Sequence, residues 1–375
     1  MVAGIAGFVK ALAGRFGAQS GAFHLARAYI LSMNLRADGR LPSMNDVARE
    51  AGVSLGTVSN VLNRPEGCRP ETVERVRAAI DRLGFVRNLN ARSLVGADSH
   101  TIGLNVFDLS NSLFVDIARG AQAIVRERGH QLVITDSDTD QRQQREHLDY
   151  FDETRVAGVL LAPQFDPDED VGRLAAHGRR VVVLNHDTPG ASWSTVLVDN
   201  DHVGYLAARH LISRGCRRLA FVGVPESLQP ADERRRGVAR AIAESEGVEL
   251  IDIQTSDLQI AGGIVAGRQL LAMDPQLRPD GVICVADLTG MAIIQVLVSG
   301  GVHVPGDVLV MGCDANTNAW GGPVTLTTVA QHGDEMGAAG ARILLDELAD
   351  RDRPHTRHVI RPELIERSST AALAR

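Results

Sequence analysis

Residues 45–63 read NDVAREAGVSLGTVSNVLN. Apolar residues recur at helical spacing in both halves of this segment, and Gly52 between them has the backbone freedom that a tight turn requires. Ser54 is a suitable N-cap for a second helix over residues 55–62. The pattern predicts two short helices packed through one apolar face, which is either a helix-turn-helix or a plain helical hairpin.

Small polar side chains occupy the outer face of the second predicted helix. In a DNA-binding helix-turn-helix this helix enters the major groove, where amides and hydroxyls bond to bases and phosphates. Asn60 is a candidate base-reading residue, because an asparagine can pair with adenine through two hydrogen bonds. The candidate DNA contacts here are Ser54, Leu55, Gly56, Thr57, Ser59, Asn60 and Asn63.

The charge of the chain is unevenly distributed. The formal net charge is -7, but residues 1–43 carry +4, residues 44–96 carry +2 and the remainder carries -13. Phosphate attraction is needed only where the duplex lies, so an acidic body does not exclude DNA binding by a basic head. A third helix is predicted over residues 70–83, ending at Gly84.

From residue 101 onward, short apolar segments alternate with helical patterns of about 10 to 15 residues. Such alternation predicts parallel sheets covered by helices on both faces, and the stretch is long enough for two lobes. The predicted strands are 101–106, 131–135, 156–161, 180–184, 218–222 and 281–285. The predicted helices include 114–128, 141–152, 203–214 and 234–246.

Several classes of protein are disfavoured by what the sequence lacks. The four cysteines are widely spaced, which indicates neither a disulfide framework nor a zinc site and favours a cytoplasmic setting. No apolar run approaches the roughly 20 residues of a membrane span. No GxSxG, HExxH, P-loop or GxGxxG motif occurs at a turn from a strand into a helix. We therefore expect no catalytic residue, metal or cofactor.

Residues 45–63 resemble the head of the lactose-repressor (LacI/GalR) family, whose pattern approximates DVAxxAGVSxxTVSxVLN. In that family the segment matching residues 88–94 forms a hinge helix on DNA, and a leucine wedges into the minor groove. The resemblance implies four further DNA contacts: Asn88, Ala91, Arg92 and Leu94. Arg87 stands where the family usually has a proline, so the resemblance does not extend to the stiffness of the joint between head and hinge. Asn60 replaces a common arginine, which implies an operator that differs in part from the family's usual sequence.

The resemblance extends from Thr101 to about Thr370 and implies a core like that of periplasmic sugar-binding proteins. Such a core has two Rossmann-like lobes with a ligand cleft between them, and ligands of open α/β sheets lie beyond the carboxyl ends of strands. The candidate effector-binding residues are Phe114, Asn185, Arg234, Asp287, Asp314 and Gln331. Each polar residue among them has the alternative of a purely structural role.

The predicted architecture is an all-α helix-turn-helix head followed by an α/β, periplasmic-binding-protein-like core of two Rossmann-like lobes. Residues 1–42 are expected to be a disordered extension or to precede the true start. The predicted domains are a helix-turn-helix over 43–87, a hinge helix and linker over 88–99, and an effector-binding and dimerisation domain over 100–375, with crossings near 196–203 and 325–332.

The predicted function is sequence-specific transcription regulation, most simply repression, with a pseudo-palindromic double-stranded operator and a homodimer. A sugar, sugar phosphate, nucleoside or other small polar metabolite is the expected effector. Leu258 stands where the family often has a stacking aromatic ring, so a stacked pyranose is less favoured. A ligand-independent DNA-bending protein and an α/β enzyme with an accessory head are the alternatives.

Overall fold

The computed structural model describes residues 40–86, 99–224, 228–315 and 323–371. The chain divides between residues 97 and 98 into two compact units. Among the described residues, no helix is both long enough and apolar enough to cross a membrane.

The described residues of the N-terminal unit, 40–86, form three α-helices: α1 (Met44–Ala51), α2 (Leu55–Asn63) and α3 (Pro70–Leu83). Ser43 caps α1 in a reciprocal capping box with Asp46, whose carboxylate accepts from the Ser43 backbone amide at 2.9 Å. Gly52 ends α1 in the left-handed conformation, with φ of 62°, as the predicted turn requires. Ser54 caps α2 by accepting from the Thr57 amide at 3.1 Å.

A small apolar core holds these three helices together. Its central side chains, Val47, Val58 and Val76, come one from each helix and are fully buried. An ion pair of 3.0 Å between Arg82 and Glu50 also joins α3 to α1 at the surface. The outer face of α2 is left free of the packing that forms the unit.

The first lobe of the C-terminal unit is a six-stranded parallel sheet in the order β2-β1-β3-β4-β5-β11. The helices α4 and α11 pack against each other, and α11 contacts the middle strands, whereas α5 and α6 pack together and contact β1 and β4 respectively. The strands are β1 (Thr101–Val106), β2 (Gln131–Asp136), β3 (Gly158–Ala162), β4 (Arg180–Leu184), β5 (Ser194–Val198) and β11 (Arg357–Ile360). The helices are α4 (Ser112–Glu127), α5 (Gln141–Glu153), α6 (Asp168–Ala176) and α11 (Gly333–Ala349).

The second lobe is a four-stranded parallel sheet in the order β7-β6-β8-β9. Its helices also pack in two pairs, α7 with α8 and α9 with α10. The strands are β6 (Arg218–Gly223), β7 (Glu249–Gln254), β8 (Gly281–Cys284) and β9 (Leu309–Met311). The helices are α7 (Asn200–Ser213), α8 (Gln229–Ala243), α9 (Ile260–Ala272) and α10 (Asp287–Ser299).

Within the described residues, the chain passes between the lobes at three places. The passages join β5 to α7, β10 (Thr328–Ala330) to α11, and β11 to β12 (Glu363–Ile365). Strands β10 and β12 pair with each other in an antiparallel two-stranded sheet. One apolar cluster includes residues of both lobes, such as Leu184 and Phe221, so the lobes share a core beside these connections.

Two predicted helix starts are corrected by the structure. The helix expected from Arg234 begins at Gln229, because Pro230 fits the first turn, where its missing amide hydrogen costs no bond. The helix expected from Val203 begins at Asn200, with Asp199 as its N-cap. Both corrections lengthen helices toward the edge where the lobes face each other.

Candidate functional site

The outer face of α2 presents the predicted DNA-reading residues of the N-terminal unit. Leu55, Gly56 and Asn60 are exposed, and Leu55 keeps 46% of its surface accessible although it is apolar. A large exposed apolar side chain at the start of a helix is suited to contact a thymine methyl group. These three residues are therefore available to a duplex.

The remaining predicted contacts of α2 are partly engaged within the helix. Ser54 and Thr57 hydroxyls lie 2.9 Å apart, and the Asn63 amide donates to the Ser59 hydroxyl at 3.2 Å. These bonds orient the small polar side chains along α2. The other predicted DNA contacts, Asn88, Ala91, Arg92 and Leu94, lie outside the described residues.

The two lobes face each other near the carboxyl ends of their parallel strands, and we call this region the cleft. The carboxylate of Asp314, which follows β9, lies there within hydrogen-bond distance of side chains from both lobes. It accepts four hydrogen bonds from four different segments, and it is only 6% exposed. The donors are Asn111 Nδ2 at 3.1 Å, the Asp287 amide at 3.1 Å, Gln331 Nε2 at 2.8 Å and Arg234 Nη1 at 3.5 Å. We call Asn111, Arg234, Asp287, Asp314 and Gln331 the polar centre.

Arg234 is buried in the polar centre at 4% exposure. Its guanidinium donates to the Asn200 side chain at 2.9 Å and to the Val285 carbonyl at 2.7 Å, in addition to Asp314. Burial raises the pKa of the Asp314 carboxyl, and the nearby Arg234 charge and the donated hydrogen bonds oppose that effect. Both groups are therefore held in place by hydrogen bonds to neighbouring protein groups.

Close helix packing places Arg234 in the polar centre. A Cβ atom on Gly237 would lie 1.8 Å from the Asp201 carbonyl oxygen, and one on Gly204 would lie 1.8 Å from that of Arg234. The backbones of α7 and α8 therefore touch, which only glycine permits at these two points. Gly237 lies three residues after Arg234 on α8, so the glycine that permits this close packing also holds the turn that carries the buried arginine.

Asp287 has a different role from the one predicted. It is fully buried, and its Oδ1 accepts from the Asp314 amide at 3.0 Å and from the Thr328 hydroxyl at 2.7 Å. The Asp314 amide lies in the segment that follows β9, whereas Thr328 is the first residue of β10. Asp287 therefore positions Asp314 rather than offering an oxygen to the cleft.

Phe114 is also placed differently from the prediction. Its ring is 1% exposed and packs edge-on against Phe107, with 4.5 Å between ring centroids. It belongs to the core of the first lobe, beneath the segment that carries Asn111. In this structure Phe114 supports the cleft from below and does not present an open apolar wall.

Buried polar atoms without protein partners occur at the carboxyl ends of β3 and β4. They include Asn185 Oδ1, His186 Nδ1 and Gln164 Oε1. Asn185 adopts a left-handed backbone, with φ of 55°, which is unusual for a residue other than glycine. Burial lowers the pKa of His186, which favours its neutral, hydrogen-bonding form. Such groups at the strand ends of an α/β sheet are suited to a polar ligand.

Direct hydrogen bonds connect the two lobes across the cleft. The Asp187 backbone amide donates to Gln229 Oε1 at 2.7 Å, and Gln229 Nε2 donates to the Asp187 backbone carbonyl at 2.7 Å. Gln259 Nε2 donates to the Asp108 carboxylate at 2.6 Å and to the Ser110 hydroxyl at 2.5 Å. Sequence reasoning missed these glutamines as cleft residues, because neither lies in a motif. Their only sequence signal is a position at the start of a helix that follows a strand.

Gln331 is the predicted effector-binding residue nearest to the C-terminus. Gln331 lies in the second passage between the lobes, is fully buried, and also donates to the Cys313 carbonyl at 2.7 Å. Its Oε1 has no protein partner. Among the described residues, no group of three or more His, Cys, Asp or Glu side chains could hold a metal ion.

Comparisons with known proteins find a matching family for each of the two units. Residues 43–88 match the family model "Bacterial regulatory proteins, lacI family", and residues 208–370 match "Periplasmic binding protein-like domain". The HTH-type transcriptional regulator RegA of Clostridium saccharobutylicum is 30% identical over 331 residues, which cover 88% of this chain and 99% of that protein. The ribose operon repressor of Escherichia coli strain K12 is 30% identical over 334 residues, covering 88% of this chain and 100% of that protein.

A solved structure extends the likeness to three dimensions. The complex of the transcriptional regulator CelR with cellobiose is 30% identical, with a TM-score of 0.63, and covers 88% of this chain and 99% of that chain. The two relatives and the protein in the CelR complex are named as transcriptional regulators or repressors. Their names support the prediction of a regulator over the alternative of an enzyme. The chain belongs to the LacI family of bacterial transcriptional regulators.

Proposed function

We propose that this protein is a repressor whose affinity for one operator is set by a small polyhydroxylated effector bound between the two lobes. The observation that supports it most is the polar centre. Asn111 comes from the first lobe, Asp314 from the second, and Gln331 from a passage between them, and the three are joined by hydrogen bonds. A ligand that bonds to these groups would change how the lobes are held together.

The chemistry of the cleft favours a ligand with several hydroxyl groups. Asp314 accepts and Arg234 donates, which suits neighbouring hydroxyls that can do both. Asn185 Oδ1 and Gln331 Oε1 add acceptors that have no protein partner. Sugars fit this pattern, and the relatives include a ribose operon repressor and a regulator complexed with cellobiose.

The effector would act by replacing hydrogen bonds between the lobes with bonds to itself. In the present structure the lobes are joined by Asn111–Asp314, Gln229–Asp187 and Gln259–Asp108 contacts. A ligand that needs any of these groups favours a different lobe arrangement, and only such differential contacts can shift a conformational equilibrium. The coupling is reciprocal, so an effector that weakens operator binding binds less tightly to the operator complex.

We further propose that the protein acts on DNA as a homodimer in the cytoplasm. Two recognition helices spaced by one helical turn would read the two halves of a pseudo-palindromic operator. Apolar side chains remain exposed at the edge strand β2, at Val133 and Ile134, and on α9, at Ile260 and Val265. Exposed apolar groups on both lobes are suited to pair with a second copy.

Selection of DNA followed by release tests this proposal. Genomic fragments retained by the full-length protein are sequenced, and the enriched fragment is titrated in a gel-shift assay with a panel of pentoses, hexoses, disaccharides and nucleosides. One enriched palindrome and a change in its affinity with one sugar are expected. Retention of DNA without any sequence preference, or turnover of the bound ligand, would contradict the proposal.

A further inference from the structure

A cavity lies where the two lobes are connected. Its volume is about 420 Å³, which is within the usual range for small-molecule sites. It is lined by His202 and Leu206 of α7, by His332 before α11, and by residues 361–364 between β11 and β12. We call it the hinge pocket. It shares no residue with the polar centre, so it is a separate site.

The walls of the hinge pocket combine apolar and cationic groups. Leu206, Pro362 and Leu364 supply apolar surface, and Arg361 supplies an exposed guanidinium. A guanidinium matches a carboxylate through two parallel hydrogen bonds. We propose that the hinge pocket binds a small organic carboxylate with an apolar body.

The single acidic side chain of the pocket is compatible with that ligand. Glu363 lies 3.9 Å from His332 Nε2, and its side chain is 72% exposed. A carboxylate so exposed is screened by solvent and salt, and it can turn outward when an anion binds. The two imidazoles of His202 and His332 add hydrogen-bonding groups beside Arg361.

The backbone at His332 provides a second observation. Its φ is 54° and its ψ is 59°, a left-handed conformation that residues with a Cβ atom rarely adopt. Strained residues of this kind concentrate at ligand clamps and switch segments. His332 directly follows Gln331 of the polar centre, so a contact at the hinge pocket acts on the same strained segment that carries a cleft residue.

All three passages between the lobes contribute to the hinge pocket. The first passage leads into α7 and His202, the second contains His332, and the third contains Arg361 and Pro362. A carboxylate bound here therefore favours one arrangement of the passages and becomes a second input to operator affinity. This regulatory part rests on the proposed function, whereas binding at the pocket does not.

The binding part is tested with phenylacetate, and phenylacetamide serves as its neutral counterpart. Titration of the full-length protein by calorimetry, without DNA or sugar, should show binding of phenylacetate and at least about fivefold weaker binding of the amide. Arg361→Gln should weaken phenylacetate about tenfold, because the charge-assisted pair is lost. Leu206→Phe, which fills the cavity, should abolish binding.

Matched variants locate the site. Arg342→Gln removes an exposed arginine on α11 outside the pocket and should leave the phenylacetate affinity unchanged. Melting temperatures of all variants show that they are folded. Equal affinity for phenylacetate and phenylacetamide, or affinity that survives Arg361→Gln and is lost in Arg234→Gln, would overturn the assignment to the hinge pocket.

The regulatory part has its own readout. Saturating phenylacetate should change operator affinity in the wild-type protein and not in Arg361→Gln. If phenylacetate binds but operator affinity stays constant, the pocket is a binding site without regulation, and the coupling is overturned. If no operator exists, the proposed function fails while the calorimetric result for the pocket stands.

Discussion

Replacing Asp314 by asparagine should destabilise the C-terminal unit strongly. Asp314 Oδ2 accepts from Asn111 Nδ2 and the Asp287 amide, whereas Oδ1 accepts from Gln331 and Arg234. Asparagine keeps one acceptor oxygen and turns an NH₂ group toward two donors in either orientation. It also leaves the buried Arg234 charge without its carboxylate.

The size of this effect follows from burial. The side chains of Arg234 and Asp314 are 4% and 3% exposed, so solvent does little to compensate for a lost partner. Breaking a buried ion pair by removing one member costs about 3 to 5 kcal/mol of unfolding free energy. Asp149→Asn breaks a partly exposed pair with Arg173, whose side chains are 55% and 33% exposed, and should cost at most about 1 kcal/mol.

Guanidinium denaturation of both variants and the wild type measures these differences. The double variant Arg234→Gln/Asp314→Asn should lose at least about 1 kcal/mol less than the sum of the single variants, because the two share one interaction. A loss for Asp314→Asn no larger than that for Asp149→Asn would refute the view that the polar centre is a tightly coupled buried network.

Three further predictions concern other parts of the molecule. Gly237→Ala should lower the melting temperature sharply, since its Cβ would meet the Asp201 carbonyl oxygen at 1.8 Å, whereas Gly172→Ala has open space and should be neutral or stabilising. Burial lowers the pKa of His210 in the folded protein, so the unfolded protein binds a proton at this residue more readily. The free energy of unfolding should therefore fall as the pH drops below 6.5, and His210→Gln should make this pH dependence less steep. Ser54→Ala should destabilise the N-terminal unit by about 1 kcal/mol through loss of the α2 cap.

Each of these predictions has an opposing result. Equal melting temperatures for Gly237→Ala and Gly172→Ala would contradict backbone contact between α7 and α8. An unchanged pH slope in His210→Gln would mean that other groups, such as His186, account for all of it. The Ser54→Ala variant of the full-length chain is melted while its circular dichroism is recorded. A melting curve that matches wild type would exclude a stabilising cap.

The sequence was most informative where structure depends on local residues. Gly52 and Ser54 act within one turn of chain, so their roles as helix end and helix cap follow from residue type alone. Strand positions followed from the apolar segments, because parallel strands buried on both faces contain little else. The start of α8 was missed because a proline in a first helical turn resembles a helix breaker.

The site was less predictable because its contacts join distant parts of the chain. Asn111 and Asp314 are 203 positions apart, and nothing local in either segment indicates the other. Asp287 and Arg234 are both polar residues at the cleft edge, yet only the packing shows that Asp287 faces the loop that carries Asp314. Gln229 and Gln259 stand outside every motif, so their bonds between the lobes emerge only from the fold.

The most direct test of the central claim is a linked titration of operator and effector. Affinity of the selected operator fragment is measured with and without a saturating sugar, and affinity for the sugar is measured with and without saturating operator. Both affinities should change by the same factor, in the same direction, because the two sites bias one equilibrium. A sugar that binds the cleft while operator affinity stays constant would contradict control of DNA binding through the cleft.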